Sequence, residues 1–146
     1  DEARARIEAA LASGRAAERF AAMAAALGGP ADLVEQPVRH LAQAPVVRPA
    51  LPETAGTVSA MDTRAVGLAV MALGGGRRRA GDTIDHAVGL SEIAGLGEPV
   101  GPDRPLALIH ARDDAAAEAA AKTLRHIVQV ADKAPPMVPV VCDRIA

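Results

Sequence analysis

The stretch from residue 55 to residue 89 constrains the fold of this chain most strongly. It joins a short apolar-polar run, a nearly uncharged helix, three glycines, three arginines and a second extended run. Asp62 or Thr63 can accept hydrogen bonds from the free amides of the first helical turn. Gly74 follows the last apolar position of the helix, where a left-handed residue commonly ends helices. We therefore predict a helix between two extended runs, closed by a glycine-rich loop.

The helix in this stretch has almost no polar face. Apolar residues recur along it at helical spacing, and Leu68 and Met71 widen the apolar surface. We therefore expect other elements to cover the helix on most sides. Gly67, in its middle, lowers helix stability by about 1 kcal/mol relative to alanine, which predicts a close backbone contact there.

The loop after the helix is the candidate functional segment, and we call residues 74–81 the glycine-arginine loop. Its three glycines are followed directly by three arginines: Gly74, Gly75, Gly76, Arg77, Arg78 and Arg79. Flexible backbone amides beside guanidinium groups would suit an anion. However, the pattern is neither a Walker loop nor a dinucleotide-binding motif. The residue types alone therefore favour a solvated, mobile connection whose charges aid solubility.

Two carboxylates, those of Asp82 and Asp85, follow this loop closely. They could serve as a general acid and a general base. Their spacing equally suits a turn that bonds its own backbone, or ion pairs with the arginines of the loop. The residues favour this structural role and leave the catalytic one open.

Composition excludes several classes of function. Half of the 146 residues are apolar, but Phe20 is the one aromatic residue, so small aliphatic side chains must fill the core. A net charge of −2 gives no general attraction to nucleic acid or to an anionic membrane. Bases would also find no aromatic stacking platform. We therefore predict neither a nucleic-acid partner nor a membrane partner.

Cysteine and histidine usage argues against a metal site. Cys142 is the single cysteine, which excludes an internal disulfide and a cysteine-based zinc site and fits a reducing, cytoplasmic location. Cys142 also falls in a predicted apolar strand, so we interpret it as a core residue. The four histidines have no ligand spacing: His40, His86, His110 and His126. We predict no metal and no cofactor.

The order of elements predicts an α+β fold. Helices are expected at residues 1–12, 15–27 and 113–131, with a turn or two of helix at 32–41 broken near Pro37. In the helix at 113–131, Glu118 lies four residues before Lys122, a spacing that favours an ion pair. Prolines bracket an edge strand at 46–51. Further strands are expected at 88–93, 106–109 and 139–145.

A set of motifs spread over nearly the whole chain carries a family resemblance. They are Gly14-Arg15-Ala16-Ala17-Glu18, Gly56-Thr57-Val58, Met61-Asp62-Thr63-Arg64, Leu73-Gly74-Gly75-Gly76-Arg77, Asp82-Thr83-Ile84-Asp85, Arg104-Pro105-Leu106-Ala107, Ile109-His110-Ala111 and Ala131-Asp132-Lys133-Ala134-Pro135. In this order they resemble the carboxy-terminal part of the thymidine phosphorylases, within the pyrimidine nucleoside phosphorylase family. Residues 74–78 and 142–145 look more like the thymidine-preferring branch.

The resemblance implies a fold and a division of the chain. Residues 1–45 would be a helical segment of the phosphorylase α/β domain. Residues 46–146 would be a carboxy-terminal α/β-hammerhead with a barrel-sandwich-like, mostly antiparallel sheet. Residues 95–111 also look like half of a biotin- or lipoyl-carrier domain, but Lys122 and Lys133, the only lysines, lie outside that hairpin. A carrier role is therefore not predicted.

The resemblance also implies a reaction, the reversible cleavage of thymidine by phosphate to thymine and 2-deoxyribose 1-phosphate, in a homodimer. The family's lysine-histidine-serine phosphate segment and its base-gripping segment are not found here, so no catalytic residue is assigned. Instead, the chain would form one wall of an interdomain cleft, and residues 74–79 would assist its closure. The chain is then expected to be a carboxy-terminal fragment.

A second interpretation stays open, namely a free-standing, non-catalytic hammerhead module with a structural or interaction role. The coding sequence upstream of Asp1 would separate the two. A reading frame that encodes the lysine-histidine-serine segment would select the phosphorylase. A start codon next to Asp1 would favour the free-standing module.

Overall fold

A computed structural model describes residues 2–136 of the chain. The chain divides into two compact units, Asp1–Ala42 and Gln43–Ala146. This division lies close to the boundary predicted between residues 45 and 46, whereas the assignment of each part to a domain of a phosphorylase stays a prediction. None of the helices in the described part combines the length and apolar character needed to cross a bilayer.

The first unit consists of helices α1 (Glu2–Ala12), α2 (Arg15–Ala26) and α3 (Pro37–His40). Gly14, with a left-handed φ of 78°, turns the chain between α1 and α2. The predicted break near Pro37 is confirmed: a turn over residues 31–35 ends at Gln36, and Pro37 is the first residue of α3. Proline suits that position, since its missing N–H has no partner in a first turn.

The described residues of the first unit include no buried side chain. Its large apolar side chains lie on the surface, and Ile7, Phe20 and Leu27 are 62%, 52% and 81% exposed. Most helical stability in proteins comes from packing an apolar face rather than from intrinsic propensity. The described part of this unit therefore supplies little stability of its own.

The described part of the second unit, residues 43–136, contains two three-stranded antiparallel sheets and two helices. One sheet has the order β1-β5-β3 and the other has the order β4-β2-β6. The strands are β1 (Val46–Ala50), β2 (Gly56–Met61), β3 (Gly89–Ser91), β4 (Pro99–Val100), β5 (Ala107–Ala111) and β6 (Val128–Ala131). The helices are α4 (Thr63–Leu73) and α5 (Asp114–Ile127). The α+β class is confirmed, and the described strands form no closed barrel.

Small aliphatic side chains fill the core of this unit, as composition predicts. Alternate residues of β5, namely Ala107, Ile109 and Ala111, are completely buried. Ala117 and Leu124 of α5 belong to the same cluster. Alanine on both sides lets helix and sheet approach closely, so the core needs no aromatic residue.

Helix α5 is shorter than predicted. It ends at Ile127 rather than at residue 131, and Val128–Ala131 forms β6, which pairs with β2. The segment Val128-Gln129-Val130-Ala131 combines two β-branched residues with an alternating pattern, which also fits a strand. The hydrogen bonds to β2, whose paired residues lie 67 to 74 positions earlier in the chain, decide between the two conformations.

The ion pair predicted within α5 does not form. Instead of Lys122, Glu118 contacts Arg125 at 3.0 Å on the same helix and Arg48 of β1 at 3.1 Å. The hydrogen bond from Arg125 is the main cause that lowers the pKa of Glu118 below its usual value. Glu118 thus links α5 to the edge strand beside it.

The ends of α4 agree with the sequence prediction, but its surroundings do not. The Asp62 side chain accepts from the amide of Ala65 at 2.9 Å, and Gly74 ends the helix with a left-handed φ of 104°. However, only Ala69 and Leu73 of this helix are buried. The expectation that α4 is covered on most sides was therefore wrong for the described part of the chain.

The expected close contact at Gly67 is also absent within residues 2–136. A Cβ built on Gly67 would meet no atom within 4 Å outside the backbone of its own helix turns. Gly67 therefore carries the entropic cost of glycine in a helix without a packing benefit among the described residues.

We expect Gly67→Ala to raise the free energy of unfolding by about 1 kcal/mol, because alanine restricts the unfolded chain and fits the helix. Chemical unfolding followed by circular dichroism measures this change. Ala119→Gly, at an exposed position in the middle of α5, should lower stability by a similar amount. Destabilisation by Gly67→Ala would show that a close contact exists at this position after all.

Candidate functional site

Each glycine at the start of the glycine-arginine loop has its own structural reason. Gly74 needs its left-handed φ of 104°. A Cβ on Gly75 would lie 2.9 Å from Cγ1 of Val70, and a Cβ on Gly76 would lie 2.6 Å from Cγ of Met71. The three glycines therefore let the loop fold closely against the last turns of α4.

The backbone amides of the arginines already have an acceptor within the chain. Oδ2 of Asp82 accepts from the amides of Arg78 and Arg79 at 3.0 Å and 2.9 Å. The carbonyl oxygen of Asp82 accepts from Nε of Arg77 at 3.2 Å. The carboxylate thus occupies the position that the sequence suggested for a bound anion, and it bonds the backbone of its own turn.

The guanidinium groups of the loop lie on the surface. Arg77, Arg78 and Arg79 are all exposed. Among residues 2–136, none of the three forms an ion pair. The loop therefore presents three adjacent positive charges to its surroundings, with the carboxylate of Asp82 turned towards the backbone.

Asp85 fixes the base of the glycine-arginine loop, which is the point where Gly74 and Asp85 contact each other. Its amide donates to the carbonyl oxygen of Gly74 at 3.0 Å, which joins the first residue of the loop to the segment that follows the loop. Its carboxylate accepts from the amide of Ala87 at 3.1 Å and from Nε of Arg112 at 2.7 Å. Of the two structural alternatives, Asp85 bonds its own turn through Ala87, and its ion pair is made with Arg112, just after β5, rather than with a loop arginine. No local signal could have indicated a partner 27 residues away.

The hydrogen bond from Ala87 is the main cause that lowers the pKa of Asp85, and Arg112 adds to it against the opposing effect of desolvation. A carboxyl whose pKa is lower in the folded state stabilises the fold above its unfolded pKa, about 3.9. That contribution disappears as the pH falls through the folded pKa.

We therefore expect Asp85→Asn to make the unfolding midpoint less sensitive to acid below about pH 4, because the titrating group is removed. Thermal unfolding from about pH 2.5 to 6 measures this slope. Asp103→Asn is the control, because Asp103 is exposed and has no ion pair among the described residues. Equal acid sensitivity of wild type and Asp85→Asn would contradict this role.

Two histidines make contacts that the sequence did not indicate. Nε2 of His110 lies 2.8 Å from Oγ of Ser91 across the β3–β5 pair, and Nε2 of His40 lies 2.7 Å from Oδ1 of Asp32. No carboxylate contacts His110 among the described residues, so Ser91 and His110 do not form part of a catalytic triad there.

The described residues also contain no group of three histidine, cysteine or acidic side chains that could hold a metal ion. Cys142 and the predicted strand at 139–145 lie outside the described residues.

The described part of the second unit is thus an α+β domain with an exposed cationic loop and without a buried polar or charged side chain. Its residues 57–131 match the pyrimidine nucleoside phosphorylase C-terminal domain. The chain therefore belongs to the pyrimidine nucleoside phosphorylase family, which confirms the resemblance drawn from the motifs.

One relative shows how far this similarity extends. The chain is 52% identical to a thymidine phosphorylase of Burkholderia lata over 139 residues. The aligned region covers 94% of this chain but 32% of the relative. The chain thus spans about a third of the length of the curated relative that it matches.

Proposed function

We propose that this chain is the carboxy-terminal part of a thymidine phosphorylase. This pentosyltransferase would cleave thymidine with phosphate to give thymine and 2-deoxy-α-D-ribose 1-phosphate. The observation that carries the proposal is the 52% identity to the Burkholderia lata protein across 94% of the chain. The complete protein is expected to act as a cytoplasmic homodimer in pyrimidine salvage, without a cofactor.

Within that enzyme, the chain forms one wall of an interdomain cleft and is not catalytic alone. Leaving-group departure and phosphate binding require polar groups held in a site that excludes water. The described residues bury no polar or charged side chain, and the family's phosphate-binding and base-gripping segments are not found in this sequence. The chemistry is therefore supplied by other parts of the enzyme.

The glycine-arginine loop assists closure of the cleft. Its base is fixed by the bond from Asp85 to Gly74, whereas its guanidinium groups are exposed and free of ion pairs among the described residues. Exposed guanidinium groups of this kind can form ion pairs or hydrogen bonds when the opposite wall of the cleft approaches. A contact made only in the closed state lowers the barrier rather than tightening initial binding.

Arg77→Ala in the full-length enzyme is expected to lower kcat by about tenfold to a hundredfold, the usual value of a charge-assisted hydrogen bond. Thymine release from thymidine and phosphate measures it. Arg64→Ala removes the same charge from an exposed position on α4 and should leave kcat unchanged.

Two outcomes would contradict the proposal at different levels. Unchanged kinetics of Arg77→Ala would remove the closure role of the loop. Failure of the wild-type full-length protein to release thymine would remove the thymidine phosphorylase assignment and favour a structural or interaction module.

A further inference from the structure

We propose that Asp82 is a positioning residue that holds the arginine segment of the glycine-arginine loop in one shape. The kinetic consequence of this inference rests on the proposed function, whereas its structural consequence does not. Asp82 would act through Arg77, Arg78 and Arg79, by fixing the backbone positions from which their side chains extend.

The contacts of Asp82 reach all three arginines. Its Oδ2 accepts two successive amides, those of Arg78 and Arg79. Its main-chain carbonyl oxygen, which alanine or asparagine would retain, accepts from the side chain of Arg77. The rest of the segment from Arg77 to Asp82 is exposed to solvent, and a Cβ on Gly81 would meet nothing within 4 Å. The carboxylate of Asp82 therefore supplies two bonds that order residues 77–81, the tip of the loop.

The effect of Asp82 is one of shape rather than of charge. Both amides donate to the same oxygen, Oδ2, and no guanidinium group forms an ion pair with this carboxylate among the described residues. A single carbonyl oxygen has two lone pairs, so the side-chain amide of asparagine can accept the same two bonds. Asp82→Asn should therefore preserve the loop, whereas Asp82→Ala should release it.

Loss of Asp82 should not unfold the protein, because separate bonds hold the base of the loop. Asp85 bonds Gly74 and Arg112, and Val88, the nearest core residue after it, is buried without help from Asp82. Asp82→Ala should therefore disorder the tip of the loop without lowering the stability of the domain.

Amide hydrogen exchange by NMR in the 146-residue chain tests the structural part. We expect exchange of the Arg78 and Arg79 amides to be at least tenfold faster in Asp82→Ala than in wild type and near the wild-type rate in Asp82→Asn. Asp103→Ala, at an exposed aspartate in another turn, should change neither rate. Unchanged exchange in Asp82→Ala, or equal loss of protection in Asp82→Asn, would overturn the proposal.

Thymidine phosphorolysis by the full-length enzyme tests the functional part. Asp82→Ala should lower kcat, but less than Arg77→Ala because the Arg77 side chain is retained, with a smaller change in KM, and Asp82→Asn should restore it. Faster amide exchange with unchanged kcat would overturn the positioning role in catalysis. If the wild-type enzyme released no thymine, the proposed function would fail, while the amide exchange would still decide whether Asp82 orders the loop.

Discussion

Replacing Gly56 with valine is expected to lower the free energy of unfolding of the second unit by about 3 kcal/mol or more, enough to unfold a marginally stable domain. A Cβ on Gly56 would lie 2.7 Å from Cγ1 of Val130 and 2.9 Å from the carbonyl oxygen of Ala131. The carbonyl oxygen of Ala131 belongs to the backbone of β6, so it can move away only if β2 and β6 separate.

The position of Gly56 makes this clash costly. Gly56 begins β2, which is the central strand of its sheet and pairs with both β4 and β6. Its Cα partner is Val100, which belongs to the buried core. A shift at this point would therefore disturb both neighbours of the central strand at once.

Urea unfolding of the 146-residue chain, followed by circular dichroism, measures the effect of Gly56→Val. Gly67→Val is the matched control, because a Cβ on Gly67 meets open space and valine is a tolerable helix residue. A wild-type unfolding midpoint for Gly56→Val would show that β6 does not pass as close to β2 as the structure places it.

Features set by neighbouring residues could be predicted from the sequence. Asp62 caps α4 three residues before its amide partner, and Gly74 ends the same helix, both as expected. The break between α1 and α2 lies at Gly14, again as the sequence indicates. Caps and tight turns depend on bonds within four residues, so a local pattern contains the necessary information.

Features set by distant partners could not be predicted. Val128 and Val130 fit a helix by spacing and a strand by composition, and pairing with β2 decides the matter. Similarly, Glu118 has a lysine at the favourable helical distance but contacts Arg48, 70 residues earlier. Tertiary contacts override local preference in both cases.

The candidate site was predicted in part. The sequence indicated that Gly74 to Gly76 allow unusual backbone geometry and that Asp82 could bond its own turn. It did not indicate which of the two carboxylates bonds the arginine amides, nor that Asp85 contacts Arg112. The reaction itself was inferred from resemblance, because phosphorolysis needs groups that these residues do not include.

The second large effect concerns the 146-residue chain on its own, which we expect to release no thymine from thymidine and phosphate and to bind no thymine measurably. No lysine precedes Lys122, and the described residues bury no polar or charged side chain that could hold phosphate or the departing base. The assay compares equal molar amounts of the chain and the full-length enzyme, after circular dichroism has established that the chain is folded. Thymine release that scales with the concentration of the purified chain would place catalytic groups within these residues and overturn the assignment of a supporting wall.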